Sequence, residues 1–254
     1  MPKSRNPQIE FDKLKIYFGN PYTIDIEDVE GEITIFQPEM GDIVDIGEER
    51  FYGTLNVFTS NTTSYRLALW ELGIDWNQIS DFDLFTILYP QIDFEVSKYL
   101  FGDLDFSLFE LFQRTDNNEV IMKHSDTGVV IDEQVYLHIS QYLQTVFNSH
   151  PEEKLTDDPI LKQWYIRKDQ REARNKLLKG EQHSSILLPI ISSCVNHPGF
   201  KYDIDGLRHM KVFQFFDAVS RLQIYESTTA LLKGMYSGFV DTSKIPNESF
   251  NFMR

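Results

Sequence analysis

The stretch from about 208 to 236 constrains the fold of this chain more than any other. Val212, Phe213, Phe216, Val219, Leu222, Tyr225, Leu231 and Leu232 recur there at mixed three- and four-residue spacing, the period that lines one face of a helix. A long helix with such a stripe needs another surface to cover it, within the chain or outside it. Disulfides cannot substitute for that packing, because Cys194 is the single cysteine. With 254 residues, 41% of them apolar, the chain has material for a sizeable core without staples or metal.

Upstream, Leu14 to Phe18 and Ile33 to Gln37 read as two short strands. Between them lie a turn at Gly19-Asn20-Pro21 and an acidic segment ending at Glu30-Gly31-Glu32. Pro38 and Gly41 break the pattern, and Phe51, Leu55 and Phe58 then predict a helix over Gly47 to Thr59. Thr62 or Thr63 is placed to cap the next helix, which runs through Arg66 to Leu72 and stops at Gly73. Ser80-Asp81-Phe82-Asp83 has capping-box spacing and opens a helix that Pro90 ends. Leu108 to Phe112, Glu119 to Lys123 and Val129 to Ile131 predict an antiparallel meander, turning at Asp116-Asn117-Asn118 and Asp126-Thr127-Gly128. Asp132 caps a helix over Glu133 to Phe147, and His150 to Lys154 reads as a linker into a charged helix broken by Gly180. Ser184 or Ser185 starts an apolar helix with Pro189 early in it, Asn196 to Gly199 is a loop, and the long helix follows.

These elements predict an α+β chain, mainly helical, with short N-terminal strands, a small meander and a C-terminal helical bundle. The expected divisions are an acidic region over 1–148, a linker and charged helix over 149–183, and a helical region over 184–254, or one continuous domain.

Charge divides the chain more sharply. Residues 1–131 carry 24 acidic and 9 basic side chains, and residues 132–254 carry 15 of each, so the whole net charge of −15 lies in the first half. Such a field repels phosphate backbones and either favours a basic protein partner or serves solubility alone. The exception, 162–179, holds seven basic residues and two acidic ones. A solvated helix with local pairs, Asp169 with Arg171 and Glu172 nearby, explains it better than a nucleic-acid stripe. Asp42, Asp45, Glu48 and Glu49 form an acidic cluster, readable as a docking patch or as ordinary stabilisation of a helix N-terminus.

No catalytic motif stands out. Asp126-Thr127-Gly128 matches the aspartic-protease triplet, yet that chemistry needs two carboxylates sharing a proton. Asp241-Thr242-Ser243 supplies no matching second copy, and a hairpin turn accounts for the triplet. The six histidines (His124, His138, His150, His183, His197, His209) show no metal-ligand spacing. Asp103-Leu104-Asp105 lacks the rest of a calcium loop. Phosphate-binding glycine loops and a nucleophile elbow are missing, and Cys194 reads as a small core residue. The expectation is a non-enzyme without cofactor or metal. No apolar run approaches the roughly 18 to 20 residues of a membrane span, and the start lacks a signal peptide, so a cytoplasmic location is expected.

Ile33 to Pro38, with Asp42-Ile43, Ile46 to Glu48 and Phe51, resembles the opening of small proteins from tail-morphogenesis modules of tailed bacteriophages. The same resemblance extends over Arg66 to Trp70 with Gly73 to Trp76, Val195 to Tyr202, Arg221 to Glu226 and Lys233 to Gly238. It implies a tail or baseplate assembly chaperone in the host cytoplasm, binding a tape-measure or hub protein. A connector or baseplate subunit is the alternative, and a host-directed inhibitor is a third reading. For the chaperone, Phe213, Phe216, Leu222 and Tyr225 are the expected apolar contacts, although most of these positions suit an internal core. Asp42, Asp45, Glu48 and Glu49 would steer a basic client.

Overall fold

The first turn of the chain departs from the strand expected at Leu14 to Phe18. The Asp12 carboxylate accepts from the Leu14 and Lys15 N–H groups at 3.0 and 3.2 Å and starts a short helix, α1 (Lys13–Tyr17). An Asp at the N-cap satisfies donors that a strand would leave to a neighbour. The computed structural model describes residues 6–25, 32–115, 118–179, 184–239, 241, 243 and 245–253. The expected acidic residues Glu30-Gly31, the turn at Asp116-Asn117, the break at Gly180, His183 and Thr242 lie outside these. Among the described residues are eleven α-helices and two small antiparallel sheets, a mainly helical α+β architecture as the sequence predicts.

After the Gly19 turn, β1 (Tyr22–Asp25) pairs antiparallel with β2 (Glu32–Ile35), Tyr22 opposite Ile35 and Asp25 opposite Glu32. Ile24, Ile33 and Ile35 are buried on one face. Where Pro38 and Gly41 predicted only a break, a helix forms, α2 (Met40–Ile46), closed by the reciprocal bonds of Glu39 and Asp42. Gly41 fits there because Arg208 crosses it: a Cβ at this position would lie 3.0 Å from the Arg208 carbonyl oxygen. Gly41→Ala is expected to cost about 1–3 kcal/mol by forcing that crossing apart, read as a lower urea midpoint; an unchanged midpoint would show that the two segments separate freely.

The core is built on α3 (Glu48–Thr59) and α7 (Glu133–Val146), which pack together. Phe51, Leu55 and Phe58 are buried as their spacing predicts. Around Phe58 gather Phe85, Phe101 and Phe106, with ring centroids 5.6, 4.9 and 5.0 Å away. Phe85 lies in α5 (Asp81–Leu88), opened by the Ser80–Asp83 capping box and followed by a tight turn through Pro90. Phe101 ends α6 (Phe94–Phe101), capped by Asp93, which the sequence pattern did not reveal. Earlier in the chain, between α3 and α5, α4 (Arg66–Glu71) ends at Gly73 in the left-handed region, φ +76°. Neither threonine caps α4. Thr63 Oγ1 accepts the Lys154 N–H at 2.9 Å, and the Asn61 carboxamide accepts the Ser64 N–H at 3.0 Å.

The meander forms as expected: β3 (Phe109–Gln113), β4 (Val120–His124) and β5 (Val130–Ile131), in that spatial order. Its second turn holds Asp126-Thr127-Gly128, with Gly128 at φ +73°. Buried His124 organises this turn, its Nδ1 accepting from Asp126 and Thr127 N–H at 3.3 and 3.2 Å. Asp126 itself faces outward.

After α7, residues 151–156 run along the body: Trp76 Nε1–H donates to the Lys154 carbonyl at 3.2 Å, and the Thr156 N–H donates to Asn77 Oδ1 at 3.1 Å. The charged helix, α8 (Pro159–Lys179), buries only Ile166. Asp169 does not pair locally as expected; its two oxygens meet Arg66 of α4 at 2.5 and 2.6 Å, a forked geometry that a neighbour along the same helix cannot offer. The C-terminal helices are α9 (Leu187–Val195), α10 (Ile204–Arg208) and α11 (Val212–Tyr236). The helix expected from 208 is thus interrupted, because Lys211 bridges in extended form to Glu39.

Candidate functional site

The acidic cluster after Pro38 lies where the N-terminal and C-terminal parts of the chain meet. A helix start leaves backbone N–H groups without intrahelical acceptors, and α9 finds its acceptors far away in sequence. The Glu48 carboxylate takes the Ile186 and Leu187 N–H groups at 2.7 and 3.0 Å, and the Ser185 hydroxyl as well. Ser185 Oγ in turn accepts the Leu188 N–H at 2.8 Å. Asp45 receives Arg208 on both oxygens at 2.8 Å. Asp42 closes its own helix, accepting the Glu39 N–H at 2.7 Å, and Glu49 is exposed.

Glu39 lengthens this seam, meeting His209 at 3.1 Å and Lys211 at 3.6 Å. Backbone bonds run beside it, from Met40 N–H to the Met210 carbonyl (2.9 Å) and from Val212 N–H to the Pro38 carbonyl (3.2 Å). Of the four acidic residues singled out from sequence, Asp45 and Glu48 therefore hold the chain's own C-terminal segment, and Asp42 caps α2. Asp45 and Glu49 remain exposed, Asp45 while paired with Arg208. Glu48 lies in the first turn of α3, as the helix-terminus reading has it, and its carboxylate serves the start of α9 as well.

The four apolar candidates divide as well. Phe213, Phe216 and Leu222 are half-buried and packed on the main core. Tyr225 is 52% exposed, with the edge of its ring toward Phe252. They do not form one continuous surface. Phe213 instead joins the wall of a groove of 1210 Å³ between residues 6–13, α7 and α11. Across that groove the Gln141 carboxamide reads the extended N-terminal segment, accepting the Ile9 N–H and donating to the Pro7 carbonyl, both at 2.8 Å. Nothing in the local sequence around Gln141 signals this, because the partner lies more than a hundred residues away.

On either side of Gln141 along α7, the Tyr22 hydroxyl lies 2.6 Å from His138 Nδ1, and the Tyr22 ring stacks on Tyr142 at 4.8 Å. Burial holds the His138 imidazole below its ordinary pKa and lifts the Tyr22 phenol above its own. Because the folded chain disfavours the proton on His138, the unfolded chain binds more protons below its value of about 6.5. Stability is then complete above that pH and is lost as pH falls through the window down to the lower folded value. The urea midpoint is expected to fall between pH 7.5 and 5.5, and the fall to be shallower in His138→Gln; equal slopes would remove His138 from the account.

Among the described residues, no three His, Cys, Asp or Glu side chains are grouped to hold a metal ion, and no helix is long and apolar enough to cross a membrane. Cys194 is buried, and that burial pushes its thiol pKa up, which disfavours the reactive thiolate. On α8 Lys162 turns inward to Asp75, whereas the basic side chains from Arg167 onward are exposed, with residues 170–179 all exposed. No curated protein and no solved structure matches the chain. Residues 181–253, the segment that Glu48 and Asp45 hold in place, match the model of a family described as the YomV second domain. That family is phage-derived, and the similarity supports a phage protein.

Proposed function

We propose that this chain is a non-enzymatic phage morphogenesis protein, a tail or baseplate assembly chaperone that holds a tape-measure or hub protein before assembly. One observation carries the reading: the C-terminal segment leaves much of its apolar surface uncovered. Of the 25 residues of α11, only Val212, Phe215 and Thr228 are buried. Ile186, Leu188, Ile204, Tyr225, Tyr236 and Phe239 each expose more than half of their surface. Scattered exposed apolar side chains are ordinary, but a concentration of them on helices marks a surface for a partner helix or strand. The excess negative charge of residues 1–131 would bring a basic client to that surface and discourage polyanions.

Mass spectrometry of purified particles tests the role. Absence of this chain, with abundance in the infected-cell lysate, is the expected result; a fixed copy number in the particle would make it a connector or baseplate subunit instead. A second arm tests the surface. The double variant Ile186→Lys, Leu188→Lys is expected to keep its melting temperature and lose capture of the co-expressed tail protein. Capture at the level of the unsubstituted chain would move the binding surface elsewhere.

A further inference from the structure

The meander ends in an open edge. In an antiparallel pair, alternate residues turn their N–H and C=O groups toward the neighbouring strand and the others turn them away. The Ser125 N–H donates to the Leu108 carbonyl and the Arg114 N–H to the Glu119 carbonyl, both at 2.9 Å. The even-numbered residues of β3 therefore face β4, and Phe109, Leu111 and Gln113 face outward. Phe109 is satisfied locally: its N–H donates to the Phe106 carbonyl, and its own carbonyl accepts the Tyr89 hydroxyl at 3.4 Å. Among the described residues the backbone groups of Leu111 and Gln113 have no partner. Leu111 and Phe112, on opposite faces of the strand, are 47% and 46% exposed.

Native sheets protect such edges, because two unpaired donors and two unpaired acceptors in a row form a template for another strand. The pattern on β3 selects which strand. Phe112 sits at the centre, Leu111 and Gln113 flank it, and Glu110 and Arg114 lie one step further out. We propose that β3 pairs with β3 of a second copy of this chain, antiparallel about a two-fold axis at Phe112. In that register Leu111 faces Gln113 of the other copy and the reverse, so all four open groups on each strand find partners. Phe112 meets its symmetry mate in the close, non-hydrogen-bonded position. Glu110 falls opposite Arg114 of the other copy, twice, and opposite charges directly across a pair stabilise it. Arg114 can turn there, since its carboxylate partner among the described residues, Asp132, is 3.8 Å away and its side chain is 40% exposed. The two meanders join into one six-stranded sheet through an isologous interface, in which each contact is made twice. A polyanion or a basic client finds no comparable match at this edge, whose charges alternate in sign.

This inference stands apart from the chaperone reading, and the purified full-length chain tests it. Sedimentation equilibrium is expected to give a dimer of twice 29.8 kDa. Gln113→Pro removes an outward N–H from each strand without touching the β3–β4 ladder, and proline is tolerated at that position of an edge strand. It is expected to weaken the dimer about tenfold or more with the circular dichroism spectrum unchanged. Glu110→Arg and Arg114→Glu should each weaken the dimer, and the double swap should restore it, a rescue that no folding defect imitates. Phe112→Cys should cross-link to itself on oxidation, since the native thiol, Cys194, is buried. A monomer at every concentration overturns the proposal. So does a dimer that ignores both the proline and the charge swap, because its interface would then lie elsewhere.

Discussion

Phe58→Ala is expected to be the most damaging single substitution on the body of this protein, at about 3–5 kcal/mol. Phe58 has no exposed surface, and its ring is enclosed by Phe85, Phe101 and Phe106 from three separate elements. Truncation removes the contacts that join α3 to α5, to α6 and to the turn leading into the meander. The walls of the resulting cavity are themselves aromatic and anchored, so they cannot collapse far, which places the cost at the upper part of the range. For a chain of this size the melting temperature should fall by roughly 6–20 °C. Phe58→Leu, which keeps most of the volume, should cost less than half as much. Equal losses for the two variants would mean that ring geometry, rather than filled volume, sets the cost.

Arg66→Ala is expected to release α8 from the body. The helix buries only Ile166, with Tyr165 packed beside it on the core, so the rest of its attachment is a few polar contacts. Arg66 gripping Asp169 at 2.5 and 2.6 Å is the best formed of them. The guanidinium also lies 4.8 Å from the Tyr165 ring centroid, stacking on the same helix. Only 12% and 18% of the two charged side chains is exposed. Removing Arg66 therefore leaves a carboxylate with little water, at a cost of about 2–3 kcal/mol, below that of a fully buried pair. Amide exchange over 160–179 should accelerate far more than exchange in α3 or α7. Arg66→Lys keeps the charge but loses the fork, and should fall between the two. Unchanged exchange in Arg66→Ala would transfer the anchoring to Lys162 and Asp75, which meet at 2.5 Å.

The elements that the sequence announced are those whose signals are local. Ser80 with Asp83, and Asp132 with Val135, close their hydrogen bonds within one helical turn, so spacing alone reveals them. The β3–β4–β5 meander was legible for the same reason: alternation and turn residues lie side by side in the chain. Leu14 to Phe18 was misread because five apolar-rich residues satisfy either period, and the deciding atom, an Asp12 oxygen, lies outside the run. The α2 helix was missed because Gly41 is a breaker in isolation and a fit only beside Arg208. The candidate site fared less evenly. Tyr225 is exposed on α11, while Phe213, Phe216 and Leu222 are half-buried against the core.

What the amino-acid order determined by itself is the helical α+β class, the starts and stops of helices such as α3, α5 and α7, the meander and the unequal division of charge. Each depends on residues a few positions apart, where backbone geometry and capping chemistry suffice. Only the tertiary structure decided that Glu48 caps a helix starting 139 residues later, that Asp169 belongs to Arg66, and that the Leu111–Gln113 edge is left open. Those outcomes depend on which surfaces meet after the core has closed, and a charged or apolar side chain carries no record in its neighbours of the partner it will find across the fold.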